Sequence, residues 1–312
     1  MADPLEQDAT SVAAAPSITA VTSSKGGVGK STITIALASE AAHRQLRTLV
    51  IDVDTQADAS KRLLGSEESD DGLGVFRTFM DGDALSPIKT STPNLWVCPA
   101  GERTQDLSDL LVQKIHKADP EDLASAYGAV AENVRAGVAA FDFVVVDCPP
   151  SEQSRTLIDF VFAMSTHLLL PTKVDDASAD AVSRALTRLV KLARRGVAVA
   201  DPIGILLNDC DVFGTKLRTA ARSKFDHVSS IVRPFDNYIE HRSGPCTYSG
   251  EAGLTPRQYL AAAEAAERDG YQENGMSSRS AWAVNPARNF VNDFERVFDE
   301  LWARLNEAGE AA

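Results

Sequence analysis

The segment Lys25-Gly26-Gly27-Val28-Gly29-Lys30-Ser31-Thr32 gathers residue types that act together on a polyphosphate. Glycines let the backbone fold so tightly that successive N–H groups converge on one anion. A helix opening directly after such a turn adds the positive end of its dipole. Lys30 then supplies a point charge for β- and γ-phosphates, the Ser31 hydroxyl suits Mg2+, and Thr32 can contact an α-phosphate. The spacing meets the phosphate-loop pattern GxxxxGK[ST] from Ser24 onward only if its first glycine is relaxed, with Lys25-Gly26 near that place. The bland alternative is a Gly-rich turn with no ligand. Its placement between a strand-like and a helix-like stretch argues against that alternative.

Two further stretches carry carboxylates. Asp52 and Asp54 stand two apart at the end of the apolar run TLVIDVD, so both point to one side. Such a pair beside a phosphate site needs a cation or an ordered water between its charges, and Mg2+ supplies that charge. Asp147 closes a second apolar run, Phe141 to Asp147. The five histidines are dispersed and no Ser-His-Asp arrangement competes for the chemistry. Cys98, Cys148, Cys210 and Cys246 are scattered without a CxxC pair, which fits a reduced cytoplasm better than a disulfide scaffold.

These groups must be held by strands that end where they begin. Ile18–Ser24, Thr48–Asp54, Leu95–Pro99, Phe141–Asp147, His167–Pro171, Ile203–Asn208 and Ser229–Val232 read as strands, and helical stretches separate most of them. Near-continuous apolar strands alternating with helices predict an α/β fold, a mostly parallel twisted sheet with helices on both faces. Ligands bind beyond the carboxyl ends of strands in such sheets, and the Gly-rich turn, Asp52, Asp54 and Asp147 all fall there. Residues 1–16, rich in Ala, Ser, Asp and Pro, suggest a mobile tail, leaving 17–312 as a single domain that includes C-terminal helices at about 255–307. Residues 66–74 read as an acidic loop and 273–280 as a polar loop between two helices. Thr255-Pro256 and Asn285-Pro286 open those helices, with Pro at a favoured first position. The last helix places Phe290, Phe294, Val297, Phe298, Leu301 and Leu305 on one face, expected to pack on the body.

The net charge of −13 argues against a generally nucleic-acid-coated surface. It is unevenly spread: Pro171 to Gly250 holds 12 Lys and Arg against 9 Asp and Glu. Within that quarter, Arg184, Arg188, Lys191 and Arg195 fall on one face of a helix expected over 177–195, with Leu186, Leu189, Val190 and Ala193 largely on the other. Lys216, Arg218, Arg222 and Lys224 form a second basic cluster. A basic stripe neutralises phosphates without reading sequence. An ordinary solvated helix face gives the same pattern.

KGGVGKST resembles the deviant Walker A motif of the ParA/MinD group of P-loop ATPases, most closely the ParA partition ATPases, and Lys25 matches their signature lysine. The resemblance extends from about Ile18 to Tyr248. It implies ATP and Mg2+ as cofactors and an ATP-dependent homodimer in which Lys25 reaches across to the partner's phosphates. It implies that Asp54, in a segment where the group usually has DxDPQ and this chain has Asp52-Val53-Asp54-Thr55-Gln56, orients the attacking water. Thr55 in place of Pro suggests a looser switch loop. By the same resemblance Asp52 and Asp147 lie near Mg2+ through water, Pro149 and Pro150 belong to a second switch, and Asn208 contacts adenine. The group also implies non-specific DNA binding through the basic residues above, a ParB-like or other cargo adaptor that triggers hydrolysis, and a cytoplasmic, nucleoid-associated location. No membrane contact is expected, because a MinD-like membrane regulator needs a basic amphipathic C-terminus and the last helix ends Asn-Glu-Ala-Gly-Glu. A metal-cluster carrier needs bridging cysteines at set positions that these four do not fit. A module that holds ATP without turnover is disfavoured by Lys25 and Asp54.

Overall fold

Runs of Val, Ile and Leu too short for helices and capped by acidic or polar residues build the centre of the chain. The structure, a computed structural model, describes residues 16–65, 69–117, 122–150, 154–211, 214–268 and 283–311. The expected N-terminal tail up to residue 15, residues 66–68 of the acidic loop and the polar loop at 273–280 lie outside the described residues. The strands are β1 (Ser17–Val21), β2 (Thr48–Asp52), β3 (Ile88–Lys89), β4 (Leu95–Cys98), β5 (Phe143–Asp147), β6 (His167–Thr172) and β7 (Asp201–Leu207). The first helices are α1 (Lys30–His43), α2 (Asp58–Leu64), α3 (Leu73–Met80), α4 (Glu102–Lys117), α5 (Leu123–Gly137) and α6 (Arg155–Met164). They are followed by α7 (Asp176–Ala193), α8 (Thr215–Ser223), α9 (Ser243–Glu251), α10 (Pro256–Arg268) and α11 (Val284–Ala311).

Among the described residues the sheet has the order β3-β4-β2-β5-β1-β6-β7. All its pairings are parallel except the edge pair β3 with β4. Both faces are covered, as a parallel sheet requires, because crossover helices return on either side. Alternation along β5 shows the division. Val144 and Val146 join the apolar cluster of α5 and α6, with Phe160 and Phe162, whereas Phe143 and Val145 join that of α1 and α11, with Phe298 and Leu301. The expected face of α11 is buried at all six positions. Phe143 meets Phe298 edge-on at 5.7 Å, and Phe298 stacks on Trp302 at 5.8 Å. The apolar side of α7 is Leu186, Leu189 and Leu192, all buried, while Ala193 is exposed.

One expected strand is absent. Ser229–Val232 lies in turns after a short 3-10 segment at Asp226–Val228, with Ile231 N–H and Val232 N–H both donating to Val228 O. The chain pairs with β7 only later, through an isolated parallel bridge between Ile205 and Pro234. A proline there has no N–H to extend a ladder. Two β-branched residues in SSIV suggested a strand, but local i-to-i+3 and i-to-i+4 bonds bind that backbone first.

Parallel register then sets the site. Val21 pairs with Asp147 across β1 and β5, and Asp52 pairs with Asp147 across β2 and β5. The ends of the three central strands therefore meet at one edge, next to the start of α1.

Candidate functional site: a phosphate loop facing three buried carboxylates

The loop after β1 turns on two glycines in the left-handed region, Gly27 at φ 70° and Gly29 at φ 88°. Gly29 is required twice over, since a Cβ there would meet Asn208 Nδ2 at 2.3 Å. The loop is pinned to α7 by Ser24 Oγ, which donates to Ala181 O at 2.8 Å. α1 begins at Lys30 with no side-chain cap and no acidic residue in its first turn. Its leading N–H groups are thus left for an external anion. Lys30 is buried beside that helix start.

Facing the loop, Asp52, Asp54 and Asp147 are all buried. Asp147 Oδ1 accepts from Thr34 Oγ1 at 3.2 Å, while its buried Oδ2 has no hydrogen-bond partner. Burial, and then the charge of Asp52, pushes the Asp147 carboxyl well above the usual carboxylate range, opposed by Ser31 and Lys30. A buried carboxylate oxygen without a partner is costly, and a cation offsets that cost. Asp147, with Ser31 close by, therefore fits Mg2+. The described residues contain no cluster of three His, Cys, Asp or Glu able to hold a metal alone.

Asp52, paired in register with Asp147, also has both oxygens bound by protein donors. Its Oδ1 accepts from Asp54 N at 3.0 Å, and its Oδ2 accepts from Ser60 N at 2.9 Å and Ser60 Oγ at 2.6 Å. Ser60 Oγ in turn accepts from Ala100 N at 2.9 Å. Asp52 thus ties β2, α2 and the end of β4 together. Burial lifts its carboxyl to about 6 despite these bonds. Asp54 Oδ1 accepts from Gln56 N at 3.0 Å, closing a local Asx-type turn, and Ala57 N donates to Asp54 O at 2.8 Å. These bonds hold the loop where the group usually has a proline and this chain has Thr55. Asp54 Oδ2 has no partner among the described residues and is the oxygen available to a water.

Pro149 is buried and Pro150 approaches the loop, its Cγ lying 4.0 Å from a Cβ built on Gly26. The Cys148 thiol is buried, and that burial pushes it well above its usual range, so it stays protonated and unreactive.

Lys25 does not fold back on its own loop. Its Nζ donates to Asp175 Oδ1 at 2.8 Å and to Ser178 Oγ at 3.0 Å, at the start of α7. Asp175 also caps that helix, accepting from Ser178 N at 2.8 Å. The Lys25 ammonium is the first cause that holds the Asp175 carboxyl down at about 2. Protonation cannot break this pair near neutral pH; a competing anion can.

On the other side of the loop, Asn208 Nδ2 donates to Val28 O at 2.8 Å. A carbonyl partner fixes the amide orientation, because only the nitrogen can donate. Asn208 Oδ1 is left without a partner among the described residues. A cleft of about 200 Å³ opens here, lined by Gly27, Gly29, Thr32, Asn208, Cys246 and the segment 239–243. That segment carried no motif in the sequence; only its folding back along β7 brings it to the loop.

The basic candidates divide. On α7, Arg188 is bound by Asp159 through Nε at 2.6 Å and a second nitrogen at 2.8 Å. Arg184, Lys191 and Arg195 are exposed. Arg184, Arg188 and Lys191 line a cleft of about 500 Å³ with Arg155, a residue the sequence reading did not single out. In the second cluster, Arg218 donates to Asp211 O at 2.7 Å and lies 4.3 Å from the Tyr238 ring. Arg222 donates to Phe235 O at 2.7 Å, and Lys224 pairs with Asp176 at 2.5 Å. Lys216 is exposed. Structural contacts thus engage Arg218, Arg222 and Lys224 of the second cluster and Arg188 of α7.

The AAA_31 family model, an AAA domain, matches residues 16–198. The chromosome partitioning protein ParA of Myxococcus xanthus strain DK1622 is 27% identical over 182 residues, 58% of this chain and 60% of that one. The sporulation initiation inhibitor protein Soj of Bacillus subtilis strain 168 is 31% identical over 179 residues, 56% of this chain and 66% of that one. The chain thus spans less than two thirds of the length of these two relatives. Among solved structures, apo McdA of Cyanothece superposes with a TM-score of 0.68 at 16% identity, covering 93% of this chain and 99% of the other, a likeness of fold.

Proposed function

Because the chain belongs to the AAA_31 family and is a P-loop ATPase of the ParA/MinD type, we propose that it is an ATP-driven partition or positioning protein. In this reading two copies close over two ATP molecules, the closed dimer holds non-specific DNA, and a cargo-bound ParB-like adaptor triggers hydrolysis and release. The observation that carries it is the pairing of an uncapped α1 start, reached through the Gly27–Gly29 turn, with the unpartnered Oδ2 of Asp147. One half of the site asks for an anion and the other for a cation, which together describe a magnesium nucleotide.

Within that site Lys30 and the α1 N–H groups would bind the β- and γ-phosphates, and Ser31 with Asp147 would hold Mg2+, which neutralises charge on the phosphate oxygens. Asp54 would orient the water. Asn208 Oδ1 would accept from the adenine amino group and repel the oxygen that guanine carries at the same position. The apolar face of α11 is buried in the core.

The cleft supplies a direct test of nucleotide binding. Cys246 is exposed in its wall, whereas Cys98, Cys148 and Cys210 are buried, so an alkylating reagent reports on one residue. With ATP at 100 times its Kd only about 1% of sites stay empty, so iodoacetamide labelling of Cys246, followed by mass spectrometry, is expected to slow by up to about 100-fold. Labelling at the same rate with and without ATP would show that no nucleotide sits in this cleft.

DNA binding is tested by co-sedimentation with and without ATP. Retention is expected only with ATP. Replacing Lys191 by Ala is expected to weaken it for any sequence and to lower the salt slope by about one. Replacing Arg222 by Ala is expected to lower the melting temperature and leave that slope unchanged. DNA binding that ignores ATP, or that depends on Arg222 rather than Lys191, would refute the proposed face.

A further inference from the structure

The nucleoside side of the cleft is formed by a segment that belongs to no helix or named strand. Residues 233–241 run beside β7 and the residues after it. Ile205 N donates to Arg233 O at 3.1 Å, Phe235 N to Ile205 O at 2.8 Å, Ile239 N to Leu207 O at 3.0 Å and His241 N to Cys210 O at 2.7 Å. The outer side of this segment rests on α11 in three places. Arg304 donates to Arg233 O at 3.2 Å and Pro234 O at 2.8 Å. Glu300 accepts from Asp236 N and Asn237 N, each at 2.8 Å. Asp293 accepts from Arg242 Nε at 2.7 Å and from Glu240 N at 3.3 Å.

Of these three, Asp293 differs in burial and place. It is 0% exposed. Its other oxygen accepts from Arg296 at 2.5 Å, and Arg242 is held on its far side by Glu240. Glu240 and Arg242 both line the cleft opposite Gly27, Gly29 and Thr32, as do Phe290 and Phe294 from the turn of α11 before Asp293 and the residue after it. A fully buried carboxylate is an inefficient way to gain stability, since desolvation offsets most of the attraction; its best-attested use is to fix one arrangement against others. Here the arrangement fixed is the wall of the nucleotide cleft.

The structure assigns Asp293 of the C-terminal helix as a positioning residue for nucleotide binding, acting through Arg242 and the Glu240 N–H on the segment 239–243. This assignment rests on the nucleotide-binding reading of the cleft and adds to it a residue beyond the span that the family model matches. Asp293 touches no nucleotide. Its effect is on affinity rather than on the bond-breaking step, which lies at Lys30, Asp54 and Asp147.

The test compares the full-length chain with its Asp293→Asn variant, which keeps volume and removes the charge. Amide hydrogen exchange over 239–243 in the nucleotide-free protein is expected to quicken. The Kd for a fluorescent ATP analogue is expected to rise about ten-fold, the size of one lost charge-assisted hydrogen bond. Turnover at saturating ATP is expected to stay within about two-fold of the wild type, so KM moves and kcat does not. Arg242→Gln removes the partner from the segment side and leaves Asp293 with Arg296, so exchange over 239–243 in the nucleotide-free protein is expected to quicken there too, which keeps the anchoring testable should Asp293→Asn fold poorly. Arg257→Ala is the control. Arg257 joins Glu40 of α1 to Glu295 of α11 and makes no contact with the segment, so its loss should leave both exchange and Kd unchanged. Unchanged exchange and Kd in folded Asp293→Asn, or the same changes in Arg257→Ala, would overturn the assignment. Failure of the wild-type chain to bind ATP would instead overturn the ATPase reading, with exchange over 239–243 still deciding whether Asp293 anchors the wall.

Discussion

Alanine at Lys25 is expected to leave nucleotide binding nearly intact, abolish ATP-dependent dimerisation, and lower turnover by about 10³-fold or more, the lower range for a cation supplied across an interface. The argument starts from where the side chain lies. Lys25 Nζ is held by Asp175 and Ser178 of its own chain, away from the phosphate loop that it precedes. Its removal therefore takes nothing from the donors that would hold the nucleotide in the same subunit. The pair is about one third to one half exposed, at 34% and 45%. Exposed ion pairs contribute about 0.2–1 kcal/mol, so the variant should fold, with a melting temperature close to wild type. The same magnitude explains why the contact can be exchanged for another. A triphosphate in a closed, water-poor interface offers stronger charge-assisted bonds than a solvated carboxylate. Light scattering coupled to size exclusion, with and without ATP, reads the dimer, and phosphate release reads turnover. A Lys25→Ala protein that dimerises and hydrolyses like wild type would remove the proposed sandwich.

The sheet, the phosphate loop and the carboxylates were legible in the sequence because each depends on local pattern. Apolar runs such as FVVVD, bounded by polar residues and alternating with helices, pattern as buried parallel strands, and a Gly-rich turn between strand and helix has few other uses. The parallel register then brought Asp52 and Asp147 together without further information. What was not legible depends on partners distant in sequence. Asp52 lies beside Asp147 as its strand position implies, but the donors to its two oxygens, Ser60 and Asp54, could not be read from spacing alone. Arg188 belonged to a basic stripe by spacing, yet Asp159, 29 residues away, binds it. The second basic cluster looked free by composition and is largely tied to backbone carbonyls and to Asp176. Asp293 carried no motif and lies 51 residues from Arg242. Charge spacing shows where a cation stands on a helix; it does not show whether a carboxylate from another element has reached it first.

Alanine at Asp54 is expected to separate two steps that Lys25→Ala removes together: ATP-dependent dimerisation should persist while hydrolysis falls by about 10²- to 10⁴-fold, the contribution of a positioned acid–base or water-orienting group. The two carboxylates of this loop lie two residues apart and do different work. Asp52 has both oxygens bound by protein donors, so its loss would undo the junction of β2, α2 and β4. Asp54, itself 7% exposed, uses one oxygen on Gln56 N and has no partner for the other among the described residues, which would leave that oxygen to hold a water in the proposed site. Loss of the Gln56 bond should have only a modest effect on the loop, because Ala57 N still donates to Asp54 O and Asp54 N still donates to Asp52. The variant should therefore fold, bind ATP, dimerise and remain bound to DNA for longer than wild type, since in the proposed cycle release follows hydrolysis. Single-turnover phosphate release, read beside the dimer fraction and the DNA off-rate, distinguishes this from general damage. If turnover in Asp54→Ala matched the wild type, the water-orienting role would pass to another group. If dimer and turnover were lost together, Asp54 would be a structural part of the loop, as Asp52 is.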